Sequence, residues 1–433
     1  MALESKKEGN IITRLASTVQ LPRMVPIRQK LDRSHYEPEE LPAIVRDELY
    51  RANLQSRIHQ GMSVAITCGS RGVANIAMIT KAIVDFVKEY GGNPFVFPAM
   101  GSHGGATAEG QRQILTAYHV TEEFIGCPIR ATMDVVQVGT TPDGMPVYTD
   151  RLAHEADAII LCGRVKAHTA FRGHYESGIM KMGVIGMGKQ KGAEIIHQDG
   201  FSKLGTRLPI IGKVVLDNNP VIGAVGLVEN AFDQTCRVRA MLRENIAREE
   251  SPLLSYSKTR LGKIFFDDID VLVVDKLGKD ISGDGMDPNV TGRYAVPHMK
   301  SHKNIQHIAV LDLTDASHGN CNGIGLADVT TKRFVDKIDV DCTYPNVWTS
   351  TVLCTPKIPM FTHSDRTCIQ LALRTCNFID HAHPRVVHIE DTMHLEYLFI
   401  SEAMLQEALK NENVEVMGQA KDWAFNEEGN LYL

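Results

Sequence analysis

Residues 63–98 have the sequence SVAITCGSRGVANIAMITKAIVDFVKEYGGNPFVFP. The apolar run SVAIT predicts a buried strand, and the polar, glycine-bearing CGSRG predicts a turn after it. Residues 76–90 have helical periodicity and are followed by two glycines, which are typical of the end of a helix. PFVFP predicts the next strand. A strand, a helix and a second strand in this order indicate a parallel α/β unit.

The same alternation continues along the chain and predicts an α/β fold. ADAIILCG at 156–163 predicts a third strand, and IDVLVVDKLG at 269–278 predicts the first strand of another unit. A single core rarely grows beyond about 250 to 300 residues, and this chain has 433. We therefore expect two α/β domains with mostly parallel, doubly wound sheets and an active-site cleft between them.

The expected domain boundaries follow from this alternation. Residues 1–265 are expected to form an N-terminal α/β cofactor-binding domain, joined by the C-terminal segment 408–433. Residues 266–407 are expected to form a C-terminal α/β domain.

Composition excludes several classes of protein. The net charge of -6 gives no general attraction for nucleic acid or for an anionic membrane. No apolar run reaches the roughly 18 residues of a membrane span, and the first thirty residues lack a secretory signal. The nine cysteines include no C-x-x-C pair, which argues against a disulfide framework or a zinc finger. We expect a cytoplasmic protein.

The passage from 163 to 197 concentrates histidines, lysines and glycines after the third predicted strand. Gly183, Gly186 and Gly188 lack side chains that would keep backbone amides away from a phosphate, so this passage is a candidate phosphate-binding loop. It contains neither a Walker sequence nor G-x-G-x-x-G. A purely structural glycine-rich loop is the alternative.

Two more polar loops follow predicted strands. MGSHGGAT places His103 between small residues, where an imidazole is open to a ligand, and TCGSRGVAN places Arg71 in a turn suited to a carboxylate or phosphate. Taken singly, His103 could equally be a surface histidine, and an arginine such as Arg71 is more often a surface cation. Because ligands bind at the carboxyl ends of parallel strands, the three loops are expected to form one site. An anionic ligand with several imidazoles fits acid–base chemistry or metal binding, and the residues alone leave both open.

The three passages, in this order, resemble the nickel-dependent lactate racemase family, and the similarity is best between residues 63 and 197. The resemblance implies a nickel-pincer nucleotide, the nickel complex of pyridinium-3,5-bisthiocarboxylic acid mononucleotide. By matching motif, Lys181 in SGIMKMG resembles the lysine that tethers the cofactor, and His197 in AEIIH resembles the nickel ligand. His103 in GSHGG and His168 in KAHTAF resemble the acid–base pair. Arg71 resembles the arginine that binds the substrate carboxylate.

The resemblance also extends to the second predicted domain and includes departures. Arg293 stands near the place of a substrate-binding lysine, and Trp348 is a candidate to cover the cofactor. Cys68 replaces an aspartate that many members carry, and Ile179 replaces a glycine of the common S-G-G-x-K pattern. The segment between His168 and Lys181 is longer than in the lactate enzymes; its His174 is a candidate contact for a larger, polar substrate.

The resemblance implies a racemase or epimerase that inverts C2 of a 2-hydroxy acid, with a sugar acid such as an aldonate favoured over lactate. Cofactor-synthesis proteins are the implied partners, and no nucleic-acid or membrane partner is expected. Two alternatives stay open. One is a non-catalytic carrier of a nickel or nucleotide cofactor; the other is a histidine-based metal hydrolase, against which the absence of H-E-x-x-H counts.

Overall fold

The computed structural model describes residues 11–70, 72–301 and 303–432. The chain divides into two compact units. The central domain is the continuous segment Asp32–Leu261, and the terminal domain joins Met1–Leu31 to Gly262–Leu433.

The strands of the described residues are, in chain order, β1 (Met24–Gln29), β2 (Ser63–Cys68), β3 (Asn93–Pro98), β4 (Val135–Thr140), β5 (Pro146–Asp150), β6 (Ala158–Arg164), β7 (Val221–Glu229), β8 (Thr235–Leu242), β9 (Asp268–Leu277), β10 (Asn304–Leu313), β11 (Val329–Thr331), β12 (Met360–Thr362), β13 (Val386–Ile389), β14 (Tyr397–Ser401) and β15 (Val414–Val416).

The α-helices of the same residues are α1 (Ile11–Ala16), α2 (Leu41–Arg51), α3 (Ile76–Glu89), α4 (Ala108–Ala117), α5 (Glu122–Ile125), α6 (Arg151–His154), α7 (Ile179–Lys181), α8 (Lys189–Gln198), α9 (Phe201–Asn218), α10 (Arg243–Arg260), α11 (Pro288–Thr291), α12 (Lys332–Asp336), α13 (Val340–Ser350), α14 (Asp365–Thr375) and α15 (Leu405–Lys410). A π-helical turn, Met182–Gly186, lies between α7 and α8.

The central domain is built on a five-stranded sheet in the order β3-β2-β6-β7-β8. The first four strands are parallel neighbours, and β8 is antiparallel to β7. Strands β2 and β6 are buried over nearly their whole length, as expected when helices cover both faces of a parallel sheet. Helices α2 and α3 pack on one face, and α8, α9 and α10 pack on the other. The carboxyl ends of β3, β2 and β6 therefore lie side by side.

The terminal domain contains an eight-stranded sheet in the order β12-β11-β10-β9-β13-β14-β1-β15. Strands β12 to β13 in this order are parallel, whereas β14, β1 and β15 are antiparallel additions. Helix α14 packs on one face of the parallel part. The mostly parallel α/β architecture predicted from the sequence is confirmed in both domains.

Two chain segments lie in a different domain from the one expected. The sequence analysis placed residues 1–265 together and joined segment 408–433 to them. In the structure Ile27 of β1 pairs with both Leu398 of β14 and Val416 of β15, so both ends of the chain share the sheet of the terminal domain. Pairing between residues so distant in sequence leaves no local pattern that a sequence could display.

Candidate active site

Three loops follow β2, β3 and β6 in the central domain. They are the β2 loop (69–75), the β3 loop (99–107) and the β6 loop (165–178). The amide of Gly101 in the β3 loop donates to the carbonyl of Gly186 in the π-helical turn at 3.2 Å. The side chain of Met182, in the same turn, approaches Gly69 of the β2 loop and Gly163 near the end of β6, because a Cβ atom on either glycine would lie 3.0 or 3.1 Å from its Cε. The π-helical turn therefore contacts the β2 loop, the β3 loop and the carboxyl end of β6.

His103 lies half-buried in the β3 loop. Its Nδ1 is hydrogen-bonded to the hydroxyl of Ser70 in the β2 loop, and the carbonyl of Ser70 accepts from the hydroxyl of Tyr118 at 3.0 Å. The side-chain amide of Gln111 donates to the carbonyl of His103 at 3.2 Å. A Cβ atom on Gly104, whose φ is +66°, would lie 2.6 Å from the amide nitrogen of Gln111, so only glycine fits this close approach.

His168 is held by its own loop. Its amide donates to Oε2 of Glu176 at 2.8 Å, and the buried Glu176 also pairs with Lys258 at 2.7 Å. The amide of Ala170 donates to Nδ1 of His168 at 3.0 Å, and the ring of Phe171 lies 4.3 Å from the imidazole. Because a backbone N–H can only donate, the neutral ring carries its proton on Nε2.

Lys181 is the last residue of the short helix α7, and a side chain of helix α10 holds the first turn of α7 in place. The buried carboxyl of Glu250 accepts a hydrogen bond from the amide of Met180 at 2.9 Å. Burial raises the pKa of Glu250 to about 7, although the amide hydrogen bonds from Met180 and Ile179 oppose that rise. The segment that carries Lys181 is therefore anchored by a buried acid.

His197 lies on α8 near both Lys181 and His168. Burial and, second, the positive charge of Lys181 lower the pKa of His197 to about 4. Phe201 lies between two histidines, with its ring centroid 5.5 Å from that of His197 and 6.1 Å from that of His168. The ring is buried, and the carbonyl of Ala193, one turn earlier on α8, opposes the lowering of its pKa. A neutral imidazole is the form that binds a metal ion.

The glycine-rich part of the passage is helical from Ile179 onward. Gly183 and Gly186 lie in the π-helical turn, and Gly188 directly precedes α8; all three are buried. A Cβ atom on Gly186 would lie 2.6 Å from the carbonyl of Ala99, and one on Gly188 would lie 2.6 Å from the carbonyl of Val184. These glycines permit close helical packing, and the phosphate role assigned to them stays a prediction without structural support.

Arg293 has a structural role rather than the predicted contact with substrate. Its guanidinium donates to three main-chain carbonyls of the terminal domain, those of Leu326, Ile305 and Gln306, at 3.0 to 3.3 Å. It also pairs with Asp328. Four of its five donors are thus taken by oxygens of its own domain, which is the physical reason for the correction.

The remaining candidates stay predictions. Arg71 lies outside the described residues; nearby in its loop, the amide of Ala74 donates to Glu229 at 2.6 Å. His174 is exposed in the β6 loop, with its ring 4.7 Å from that of Tyr175. Trp348 lies on α13 of the terminal domain and is 87% exposed, so it is not part of that domain's core.

Sequence reasoning missed four residues that hold the site: Ser70, Glu176, Phe201 and Glu250. Ser70 stands next to Arg71 in a loop already singled out, and that position was a usable signal. The two glutamates offered none, because a buried acid and a surface acid look alike in a sequence.

The structure defines a two-domain α/β protein whose central domain carries the candidate histidines and lysine on the segments that follow β3 and β6. Residues 19–203 match the family described as the lactate racemase N-terminal domain. The resemblance drawn from the motifs is confirmed over this part of the chain. No curated protein gives a significant sequence match.

Two solved structures are similar to the chain. The lactate racemase apoprotein from Thermoanaerobacterium thermosaccharolyticum shares 12% identity over 85% of this chain and 93% of its own, with a TM-score of 0.48. A structural-genomics protein from Thermotoga maritima shares 11% identity over 84% of this chain and 99% of its own, with a TM-score of 0.51. The second likeness supports the fold alone. None of the helices in the described residues has the length and apolar character needed to cross a membrane.

Proposed function

We propose that the protein is a racemase or epimerase that inverts C2 of a 2-hydroxy acid with the help of a nickel-pincer nucleotide. One observation carries the proposal: Phe201 contacts both His168 and His197, and the charge of Lys181 acts on the same His197. The β3 loop with His103 is joined to this group through the π-helical turn. All four residues come from a segment of the lactate racemase N-terminal family.

The donor set fits the implied cofactor. His197 is neutral near pH 7, the form that binds a metal ion, because burial and the charge of Lys181 lower its pKa to about 4. His197 would bind the nickel, and Lys181 would hold the nucleotide through a thioamide bond. When bound, the cofactor supplies a centre that accepts a hydride and returns it.

The two other histidines handle the proton of the substrate hydroxyl. A carbinol hydrogen leaves more readily as hydride when a base removes the hydroxyl proton at the same time. For one enantiomer His103 accepts that proton, while Nε2–H of His168 donates a hydrogen bond to the oxygen. For the other enantiomer the roles reverse, which requires His168 to release the amide of Ala170 from its Nδ1. The carboxylate is assigned to Arg71 from the motif alone.

The β6 loop supports a substrate larger than lactate. Its side chains Arg172 and His174 are exposed, and Arg172 donates to the carbonyl of His168. Polar groups next to the base suit the additional hydroxyls of a sugar acid, because a hydroxyl group without a hydrogen-bonding partner is disfavoured in a closed site. We therefore include aldonates among the proposed substrates.

The test begins with protein produced together with the cofactor-synthesis proteins. Nickel analysis is expected to give about one nickel per chain, the single site that His197 provides, and mass spectrometry is expected to find an adduct on Lys181. A polarimetric and deuterium-exchange screen of 2-hydroxy acids and aldonates is expected to find inversion at C2. An adduct without inversion of any compound would instead support the carrier alternative.

Variants separate the roles of the histidines. His103→Ala and His168→Ala are expected to abolish turnover while nickel stays bound, whereas His197→Ala is expected to lose nickel. His59→Ala, an exposed histidine of the same domain, is the matched control and is expected to behave as the wild type. Full activity of either catalytic variant would remove that histidine from the proposal.

A further inference from the structure

Lys189 is a buried lysine that the proposed chemistry does not use. Its side chain is completely buried, and its backbone has a φ of +53°, in the left-handed region that residues other than glycine rarely adopt. It is the first residue of α8, between Lys181 and His197 in the chain. Burying a charge in a rare backbone conformation is costly, so the contacts of the ammonium group must offset that cost.

The ammonium group of Lys189 has three oxygen partners. It forms an ion pair with Oδ2 of the buried Asp150 at 3.1 Å, donates to Oε1 of Gln111 at 3.2 Å, and donates to the carbonyl of Pro98. Three donors thus meet three acceptors. The partners belong to the end of β5, to α4 and to the end of β3, so one side chain connects α8 with three other elements.

Gln111 passes this contact on to the β3 loop. An ammonium group can only donate, so the amide oxygen of Gln111 must face Lys189 and its nitrogen must face the other way. That nitrogen donates to the carbonyl of Gly101 at 3.0 Å and to the carbonyl of His103 at 3.2 Å. Lys189 therefore sets the orientation of the side chain that holds the backbone of His103.

We infer that Lys189 is a positioning residue: through Gln111 it fixes the β3 loop, and with it His103, relative to the segment that carries Lys181 and His197. The role of His103 as a base rests on the proposed function, whereas the ordering of the loop does not. A base that must take a proton as hydride leaves the neighbouring carbon needs a fixed distance, and an error of about 1 Å can cost about 100-fold in rate.

The test uses Gln111→Leu in the full chain, because this variant breaks the connection and leaves the Lys189–Asp150 ion pair intact. Hydrogen exchange of the cofactor-free protein is expected to rise about tenfold or more in residues 99–106, the effect of losing hydrogen bonds to two carbonyls. Exchange in β6 is expected to stay unchanged. Gln113→Leu, an exposed position two residues further along α4, is the matched control.

Kinetics of the cofactor-loaded variants give the second readout. Gln111→Leu is expected to lower kcat by about 100-fold with little change in KM, because the base is displaced while substrate binding is kept. The double variant Lys189→Met/Asp150→Asn, which removes the pair without leaving a lone charge, is expected to loosen the same loop. Unchanged exchange in residues 99–106 would overturn the inference. A uniform rise across the central domain would also overturn it, and both results are independent of whether any 2-hydroxy acid is inverted.

Discussion

The buried carboxyl of Glu250, which anchors the segment that carries Lys181, predicts an unusual pH dependence of the stability of the central domain. The variant Glu250→Gln tests this prediction. Glu250 is 1% exposed, and its Oε2 accepts a hydrogen bond from the amide of Met180. Burial is the largest influence and raises the pKa of the carboxyl from 4.5 to about 7. The neutral amide of glutamine keeps an oxygen for Met180 and removes the titration.

The size of the effect follows from linkage. The folded and ordinary pKa values differ by about 2.5, and each pKa unit corresponds to about 1.4 kcal/mol, so the carboxyl contributes about 3 kcal/mol. The folded protein holds the proton more tightly than the unfolded chain. The contribution is therefore complete below about pH 4.5 and is lost as the pH rises through about 7.

The assay must follow unfolding of the central domain. Tryptophan fluorescence does not do so, because both tryptophans, Trp348 and Trp423, lie in the terminal domain. Brief deuterium labelling at increasing urea concentration, with mass spectrometry of the β6 peptide, follows unfolding of the central domain directly. From pH 4.5 to pH 8 the free energy of unfolding of Glu250→Gln is expected to rise by about 3 kcal/mol relative to the wild type. Glu244→Gln, an exposed residue of the same helix, is the control. A constant difference between Glu250→Gln and wild type over this range would refute the reasoning.

Two further predictions concern the histidine loops. Ser70→Ala removes the hydroxyl group that is hydrogen-bonded to Nδ1 of His103. This variant is expected to lower kcat by roughly tenfold and to change the pH profile of kcat, and Ser70→Thr is expected to restore both. An unchanged profile in Ser70→Ala would show that the hydroxyl does not orient the ring. Glu176→Gln removes the negative charge that pairs with Lys258 and leaves one amide oxygen for the two donors, Lys258 and the His168 amide, and is expected to cost about 2 kcal/mol of unfolding free energy in urea titration, with a value near zero arguing against the anchor.

Local sequence pattern was sufficient for the first α/β unit. The predicted strands and helix of residues 63–98 appear as β2 (Ser63–Cys68), α3 (Ile76–Glu89) and β3 (Asn93–Pro98). Their apolar runs are buried on both faces of the sheet, which is the arrangement that such runs favour. The hydroxyl of Thr107 accepts from the amide of Gly110 and caps the start of α4.

Tertiary packing decided what the pattern could not. The glycines at 183, 186 and 188 suggested a phosphate-binding loop, yet they are buried in helical structure, where Gly186 closely approaches the carbonyl of Ala99. The membership of β1 and β15 in one sheet depends on pairings across almost the whole chain. The resemblance implied that Arg293 binds the substrate, whereas in the structure its guanidinium donates to main-chain carbonyls of its own domain. Each error came from a contact between residues far apart in sequence.

The candidate histidines were proposed from the sequence, but the groups that hold their loops were not, and those groups share one physical design. A charged pair contacts each loop: Glu229–Arg164 at the β2 loop, Lys189–Asp150 at the β3 loop and Glu176–Lys258 at the β6 loop. One member of each pair also forms a hydrogen bond with the backbone there. Glu229 accepts from the amide of Ala74, and Glu176 accepts from the amide of His168. Lys189 donates to the carbonyl of Pro98, at the end of the strand that leads into the β3 loop.

Such pairs hold a loop more firmly than apolar packing does, because hydrogen bonds to charged groups are directional and about twice as strong as neutral ones. The arrangement has a cost that can be measured. Removing one partner of a buried pair leaves an uncompensated charge and is expected to destabilise by about 3 to 5 kcal/mol, whereas removing both is close to neutral. Lys189→Met should therefore be much less stable than Lys189→Met/Asp150→Asn in urea titration, even though both loosen the loop of His103. Equal stability of the two variants would mean that the ammonium and carboxylate of this pair do not compensate each other.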